Sequence, residues 1–240
     1  MMATGKSNRS FLLHRRPYTD SRWLVDFLTE AYGRVSGIQR LPTSHRHSLE
    51  LFTEYNISWR GKSQLVTITK CEAERSFPMN GRKLYLGLYL NELIVRTTGP
   101  EEEVEGLYDA YIDSIAGIGT KNSDVEPILR SFERALLRGL GYEIVFGYEL
   151  ADGREVKPDL HYQFDPEGGF RRLEASIEGS LEGASLLAID RNDYTLPRTR
   201  QVAKNVLRTA LQYRVGNQPI VSRSLFGTQH TRANGTSAVS

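Results

Sequence analysis

The sequence predicts an α+β protein, with a small barrel of about five strands at its N-terminal end and helices after it. Three observations carry that reading. Residues 1 to about 80 are rich in alternating β-branched and aromatic residues bounded by turn signals. At Pro78-Met79-Asn80-Gly81 the texture changes, and apolar residues then recur at helical spacing. Between Gly141 and about Ser180, glycine and proline interrupt the chain every few residues, which marks a turn-rich insertion too poor in apolar residues to be a separate domain.

The opening stretch "FLLHRRPYTDSRWLVDFLTEAYGRV" (11–35) admits two readings. Ser21 could cap a helix carrying Trp23, Phe27 and Ala31, or Phe11–Pro17 and Trp23–Thr29 could be strands hinged at Tyr18-Thr19-Asp20-Ser21. Val25, Phe27 and Thr29 favour the hairpin. "GRVSGIQRL" (33–41) runs from a turn glycine to Pro42 and suits a strand. "LELFTEYNISW" (49–59) and "SQLVTITKCEA" (63–73) then form a hairpin with the basic tip Arg60-Gly61-Lys62-Ser63. Five short strands in this span suit a barrel of the OB type.

"RKLYLGLYLNELIVRT" (82–97) reads as a helix apolar on several faces, hence buried, and stopped by Gly99-Pro100. The acidic "EEEVEGLYDAYIDSIAGI" reads as the next, its carboxylates complementing the dipole of a first turn. Ser123 and Glu126 have capping-box spacing ahead of "EPILRSFERALLRGL", whose inner face is read as Ile128, Phe132, Ala135, Leu136 and Leu140, with Gly141 ending it. The last helix, residues 196–215, is expected to turn Val202, Val206, Ala210 and Tyr213 inward and Arg200, Lys204 and Arg208 outward. Residues from about 227 to 240 read as a disordered tail. The division expected is therefore 1–80 for the barrel and 81–240 for the helical part, with the insertion at about 142–180.

The chain has 240 residues, 39% of them hydrophobic and 25% charged, an ordinary globular composition. No apolar run reaches the roughly 18 residues of a membrane span, and Phe11-Leu12-Leu13 is too short for a signal-peptide core. A single cysteine, Cys71, can neither close an internal disulfide nor hold zinc alone, so the cytoplasm is the expected compartment. Net charge is only +2, yet Lys6–Arg46 and Arg191–Arg223 are basic while Glu101–Glu126 is acidic. Two basic ends point to a polyanionic partner; the same charges also suit plain solvated faces.

No catalytic constellation stands out. There is no P-loop and no GxGxxG after a strand. His45-Arg46-His47 suits a loop near phosphate better than a metal site, and Cys71 reads as a packed thiol. Pro158-Asp159 followed by Glu174 is a loose match to a nuclease pattern that lacks its lysine. The alternative reading it leaves is a metal-dependent nuclease using Asp152, Asp159 and Glu174.

Four local patterns in order resemble the RecO family of bacterial recombination mediators. They are the opening stretch with Arg16-Pro17-Tyr18; Gly87-Leu88-Tyr89-Leu90-Asn91-Glu92-Leu93; Arg130-Ser131-Phe132-Glu133 with Leu136-Leu137 and Leu140-Gly141-Tyr142; and Ser222-Arg223-Ser224-Leu225-Phe226. The resemblance implies an OB-fold domain, a helical domain and a zinc-finger-like insertion, here degenerate and metal-free because "FGYELADGREVKPDLHYQF" holds no cysteine. It further implies a DNA repair and recombination mediator, not an enzyme, with no cofactor, associated with the nucleoid. Such a protein binds single- and double-stranded DNA and anneals complementary strands. With RecR, it helps load RecA onto DNA coated by single-strand-binding protein, whose acidic C-terminal tail it docks.

On that basis Arg34, Arg40, Arg46, Arg60 and Lys62 are the candidates for DNA phosphates, with Tyr55 or Trp59 as base-stacking aromatics. Arg130, Lys204 and Arg208 are the candidates for the acidic tail of single-strand-binding protein.

Overall fold

The computed structural model describes residues 7–40, 49–61 and 64–226. His45, Arg46, His47, Lys62 and the residues from 227 onward, expected above as a tail, lie outside them. The chain divides into two compact units, one comprising the described residues through Ser123 together with those from Ile220 onward, the other Asp124–Pro219.

The first unit contains a closed barrel of five strands, β1 (Asn8–Thr19), β2 (Arg22–Thr29), β3 (Gly33–Arg40), β4 (Thr53–Arg60) and β5 (Val66–Ser76), in the order β1-β2-β3-β5-β4. All neighbours are antiparallel except β3 and β5, which run parallel at Gly37 and Ile38. This is the five-stranded OB architecture expected from the sequence. The opening stretch is a hairpin, with Pro17 opposite Trp23 and Phe11 opposite Leu28. β4 starts four residues later than its hydrophobic run predicts: Leu51 and Phe52 form a turn before it, with Phe52 at φ 58°. Leu12, Val25, Phe27, Val35, Tyr55, Ile57, Trp59, Val66 and Ile68 fill the interior.

From Ser10 to Leu13, β1 is buried on both faces. Leu12 points into the barrel, while Phe11 packs its ring against Phe77, Tyr108 and Tyr111. Those tyrosines lie on α2 (Leu107–Gly119), which with α1 (Gly81–Thr97) packs in the same unit. A bulge between Leu12 and His14 takes Leu13 out of the β1–β2 register, and its carbonyl accepts from Asn91 Nδ2 of α1 at 2.9 Å. The acidic run is not a first turn: α2 starts at Leu107, and Asp109 is its only first-turn carboxylate. Residues Glu101–Glu105 form the connection instead, where Glu101 N–H donates to the Arg34 carbonyl.

The second unit holds α3 (Val125–Gly139), a small sheet of β6 (His161–Asp165), β7 (Gly169–Leu173) and β8 (Leu181–Glu182), then α4 (Gly183–Asp190) and α5 (Pro197–Val215). Asp124, not Ser123, caps α3, its carboxylate accepting from Glu126 N–H. At the other end Gly141, at φ 81°, lets the Tyr142 N–H reach the Leu137 carbonyl, a Schellman closure. The buried face of α3 is rotated from the one read in the sequence: Leu129, Arg130, Phe132, Glu133, Leu136 and Leu137 are inside. On α5 the inward set is Val202, Ala203, Val206, Leu207, Ala210 and Leu211, while Tyr213 is half-exposed. The insertion is held by aromatic packing: Phe146 and Phe164 both lie against Phe170, and the buried Tyr162 accepts the Lys157 N–H on its hydroxyl.

Candidate nucleic-acid interface

Strand register gathers one set of cations at one end of the barrel. β2 begins and β3 ends there, so Arg22 stands directly opposite Arg40. Two residues back along β3, Ile38 pairs with Thr67, which on its other side faces Arg60 at the end of β4. Arg16 lies nearby on the β1 arm, opposite Leu24. Arg16, Arg22, Arg40 and Arg60 are all exposed, and none takes part in an ion pair among the described residues. Like charges directly across a ladder repel. An unneutralised Arg22–Arg40 pair therefore favours an anion laid over it.

The predicted phosphate set divides on this geometry. Arg40 and Arg60 belong to the exposed end, while Arg46 and Lys62 lie outside the described residues. Arg34 leaves the set because it is committed inside its own unit. Its side chain is 13% exposed, pairs with Asp26 at 3.2 Å and donates to the Thr98 carbonyl at 2.9 Å. Asp26 also accepts from Ser36 and lies 3.9 Å from His14, so Arg34 has a structural post between β2 and the end of α1.

The two aromatics proposed to stack bases are core residues. Trp59 is 7% exposed and meets Tyr32 edge to face, and Tyr55 is buried with its hydroxyl bound to the Glu50 backbone. The aromatic that does stand among the cations is Tyr18, 52% exposed, which a reading based on strand alternation passes over because it sits at the hinge. Arg15 and Arg16 resolve differently. Arg15 lies over the Trp23 ring at 4.1 Å and donates to the Leu49 carbonyl, whereas Arg16 faces solvent.

The three tail candidates also separate. Arg130 is buried on α3, 3.0 Å from Glu133, because the helix turns that face inward. Lys204 and Arg208 stay half-exposed one turn apart on α5, and Arg208 borders an open depression with Pro166, Gln212 and Tyr213.

The nuclease alternative finds no support in the placement of its residues. Asp152 pairs with Arg154 at 3.0 Å, and among the described residues no three His, Cys, Asp or Glu side chains converge as a metal site. Burial, with Glu72 adding to it, pushes the Cys71 thiol up to about 12, far from a thiolate nucleophile. Among the described residues no helix is long and apolar enough to cross a membrane.

The family described as Recombination protein O N terminal matches residues 2–77, and the one described as Recombination protein O C terminal matches residues 79–224. The chain belongs to the RecO family. A DNA repair protein RecO of Actinobacillus pleuropneumoniae serotype 7 is 37% identical over 224 residues, covering 91% of this chain and 93% of the relative. One from Haemophilus influenzae is 37% identical over 223 residues, covering 91% and 94%. One from Cellvibrio japonicus is 34% identical over 230 residues, covering 92% and 97%. RecO membership assigns the chain a role in DNA repair and recombination.

Two of the RecO-like motifs then acquire physical meaning. Asn91 ties α1 to the β1 bulge, and Glu92 accepts the N–H groups of Val221 and Ser222 at 2.8 and 2.7 Å, docking the 3-10 helix Val221–Phe226. Within the second motif, Asn91 thus holds the first motif at Leu13 and Glu92 holds the start of the fourth.

Proposed function

We propose that this RecO-family chain binds single- and double-stranded DNA at the cation-lined end of its barrel, anneals complementary strands and, with RecR, helps load RecA onto DNA coated by single-strand-binding protein. The observation that carries the reading is the exposed Arg22–Arg40 pair, without a carboxylate partner among the described residues, beside Arg16 and Arg60. Phosphates on such a cluster release condensed counterions and are gripped without regard to sequence, as annealing of any complementary pair requires. Arg46 and Lys62, close in sequence to Arg40 and Arg60, lie outside the described residues and are proposed for the same set on their charge alone.

The acidic tail of single-strand-binding protein is assigned to Lys204 and Arg208 on α5, beside the depression that Arg208 borders. Arg130 supports that region from within α3 rather than meeting the tail itself. The chemistry is binding, not bond cleavage, and its setting is the cytoplasmic nucleoid.

Strand annealing on DNA coated by single-strand-binding protein, with and without the protein's acidic tail, tests the reading. Lys204→Glu with Arg208→Glu is expected to abolish annealing of coated DNA and spare annealing of naked DNA. Arg22→Glu with Arg40→Glu is expected to abolish both. DNA affinity should fall steeply as salt is raised; an affinity that hardly moves refutes the phosphate model.

A further inference from the structure

Among the described residues Tyr18 is an exposed ring without a partner. It falls in the second irregularity of the β1–β2 ladder, where pairing passes from Pro17–Trp23 directly to Thr19–Arg22. The extra residue in β1 is thereby left out of the register and turned outward. Pro17 fixes the backbone just before it. The other half-exposed tyrosines are engaged or lie elsewhere. Tyr32 meets Trp59, Tyr142 lies beneath Arg214 at 3.3 Å, the Tyr213 hydroxyl is bound to Glu167, and Tyr148 is in the second unit next to Glu149. Trp23, on the same arm, has Arg15 over its ring. Among the described residues Tyr18 has no ring contact and no side-chain hydrogen bond, and register places Arg16, Arg22 and Arg40 on the strand ends beside it, with Asp20 as the adjoining carboxylate in sequence.

We propose that Tyr18 is a base-stacking residue that makes this end of the barrel prefer single-stranded over duplex DNA. The proposal rests on the DNA-binding reading above and adds to it the choice between strand states. Cations at the strand ends grip phosphate in either form, so they cannot distinguish the two. An aromatic face can. Bases of a single strand are free to stack on it, and the contact is indifferent to sequence. In a duplex each base is already stacked, and insertion of a ring must first separate a base step. Tyr18 suits the first contact: one ring on a proline-stiffened arm, flanked by guanidinium groups that hold the backbone on either side of the stacked base.

The test measures binding of full-length Tyr18→Ala, Tyr18→Phe and the double variant Arg22→Glu/Arg40→Glu to a labelled thymidine oligonucleotide and to a duplex of the same length. Each variant is first checked for an unchanged unfolding midpoint, which an exposed hinge residue should leave intact. Tyr18→Ala should weaken single-strand binding about 5- to 150-fold, the range of one lost base–aromatic stack, and leave duplex binding unchanged. Tyr18→Phe, which keeps the ring, should restore single-strand affinity. Equal weakening of both forms by Tyr18→Ala, or no change in either, overturns the stacking assignment. The double variant reports on the underlying reading separately. If it abolishes binding while Tyr18→Ala leaves the ratio of the two affinities unchanged, the interface stands and the stacking role falls. If it leaves binding intact, the interface itself is elsewhere.

Discussion

The Tyr111 hydroxyl donates a 2.7 Å hydrogen bond to Asn91 Oδ1, and the two side chains are buried where the helices cover the barrel wall. Asn91 turns its other end to the Leu13 carbonyl, freed from the β1–β2 ladder by the bulge. Burial pushes the Tyr111 phenol far above its ordinary pKa, so it remains a donor at every working pH. Asn91→Ala leaves a phenol and a peptide carbonyl dry and unpaired together. Each such group costs about 1–3 kcal/mol, so the variant should lose roughly 2–6 kcal/mol in urea unfolding. Adding Tyr111→Phe should cost little more, because one of the two orphans is then removed.

Glu92 makes the chain's return to the first unit sensitive to acid. Burial pushes its pKa up, but the Ser222 side chain, the N–H groups of Ser222 and Val221, and Arg96 together bring it below the ordinary carboxylate value of 4.5. A carboxylate depressed in the folded state contributes stability above its unfolded pKa and loses that contribution as pH falls through the folded one. The Val221 and Ser222 amide resonances should therefore titrate together below pH 4.5, with the 3-10 helix freed at the acid end. Glu92→Gln should remove that titration and leave the segment undocked or weakly docked at neutral pH.

Close backbone approach, rather than turn geometry alone, fixes Gly33. A Cβ there would lie 2.0 Å from the Glu102 carbonyl oxygen, at a φ of +61°. Gly106 has a similar φ of +70° with nothing within 4 Å of the added atom. Gly106→Ala should cost about 1–2 kcal/mol, the left-handed penalty alone. Gly33→Ala must also displace the connection before α2, so its loss of thermal stability should exceed that of Gly106→Ala. Gly183 makes the same case without strain, since its Cβ would meet the Lys157 carbonyl at 1.9 Å.

The barrel was legible because its signals are local and periodic. Val66 and Ile68 alternate with exposed Thr67 and Thr69, and Gly33 starts β3 where the sequence places a turn. Misreadings arose where a side chain's task depends on a distant element. Nothing within α3 reveals that Arg130 and Glu133 face inward, since an i,i+3 pair of opposite charges is the ordinary pattern of a solvated face. Arg34 looks like any strand arginine until Asp26 and the Thr98 carbonyl are brought to it by β2 and α1. Tyr55 and Trp59 share the parity of Ile57, and that face is the one turned into the barrel, which the strand's alternation alone does not say. The Arg22–Arg40 pairing is a matter of register, readable only once the strands are aligned.

The buried pair Arg130–Glu133 bears directly on any attempt to map the partner surface of the helical unit. Its side chains are 5% and 0% exposed, with 3.0 Å between charged atoms, and Arg130 Nε has no hydrogen-bond partner among the described residues. Removing one member leaves the other charge buried, so Glu133→Ala should cost about 3–5 kcal/mol. Replacing both with apolar residues of similar volume, as in Arg130→Met with Glu133→Leu, should recover most of that loss, because the desolvation of both ions is relieved. Chemical unfolding of the two variants measures the difference directly. Charge reversal at Arg130 should thus reduce every activity together through misfolding of α3. Charge reversal at the half-exposed Lys204 should leave the unfolding midpoint where it was, so a binding defect there reads as lost contact.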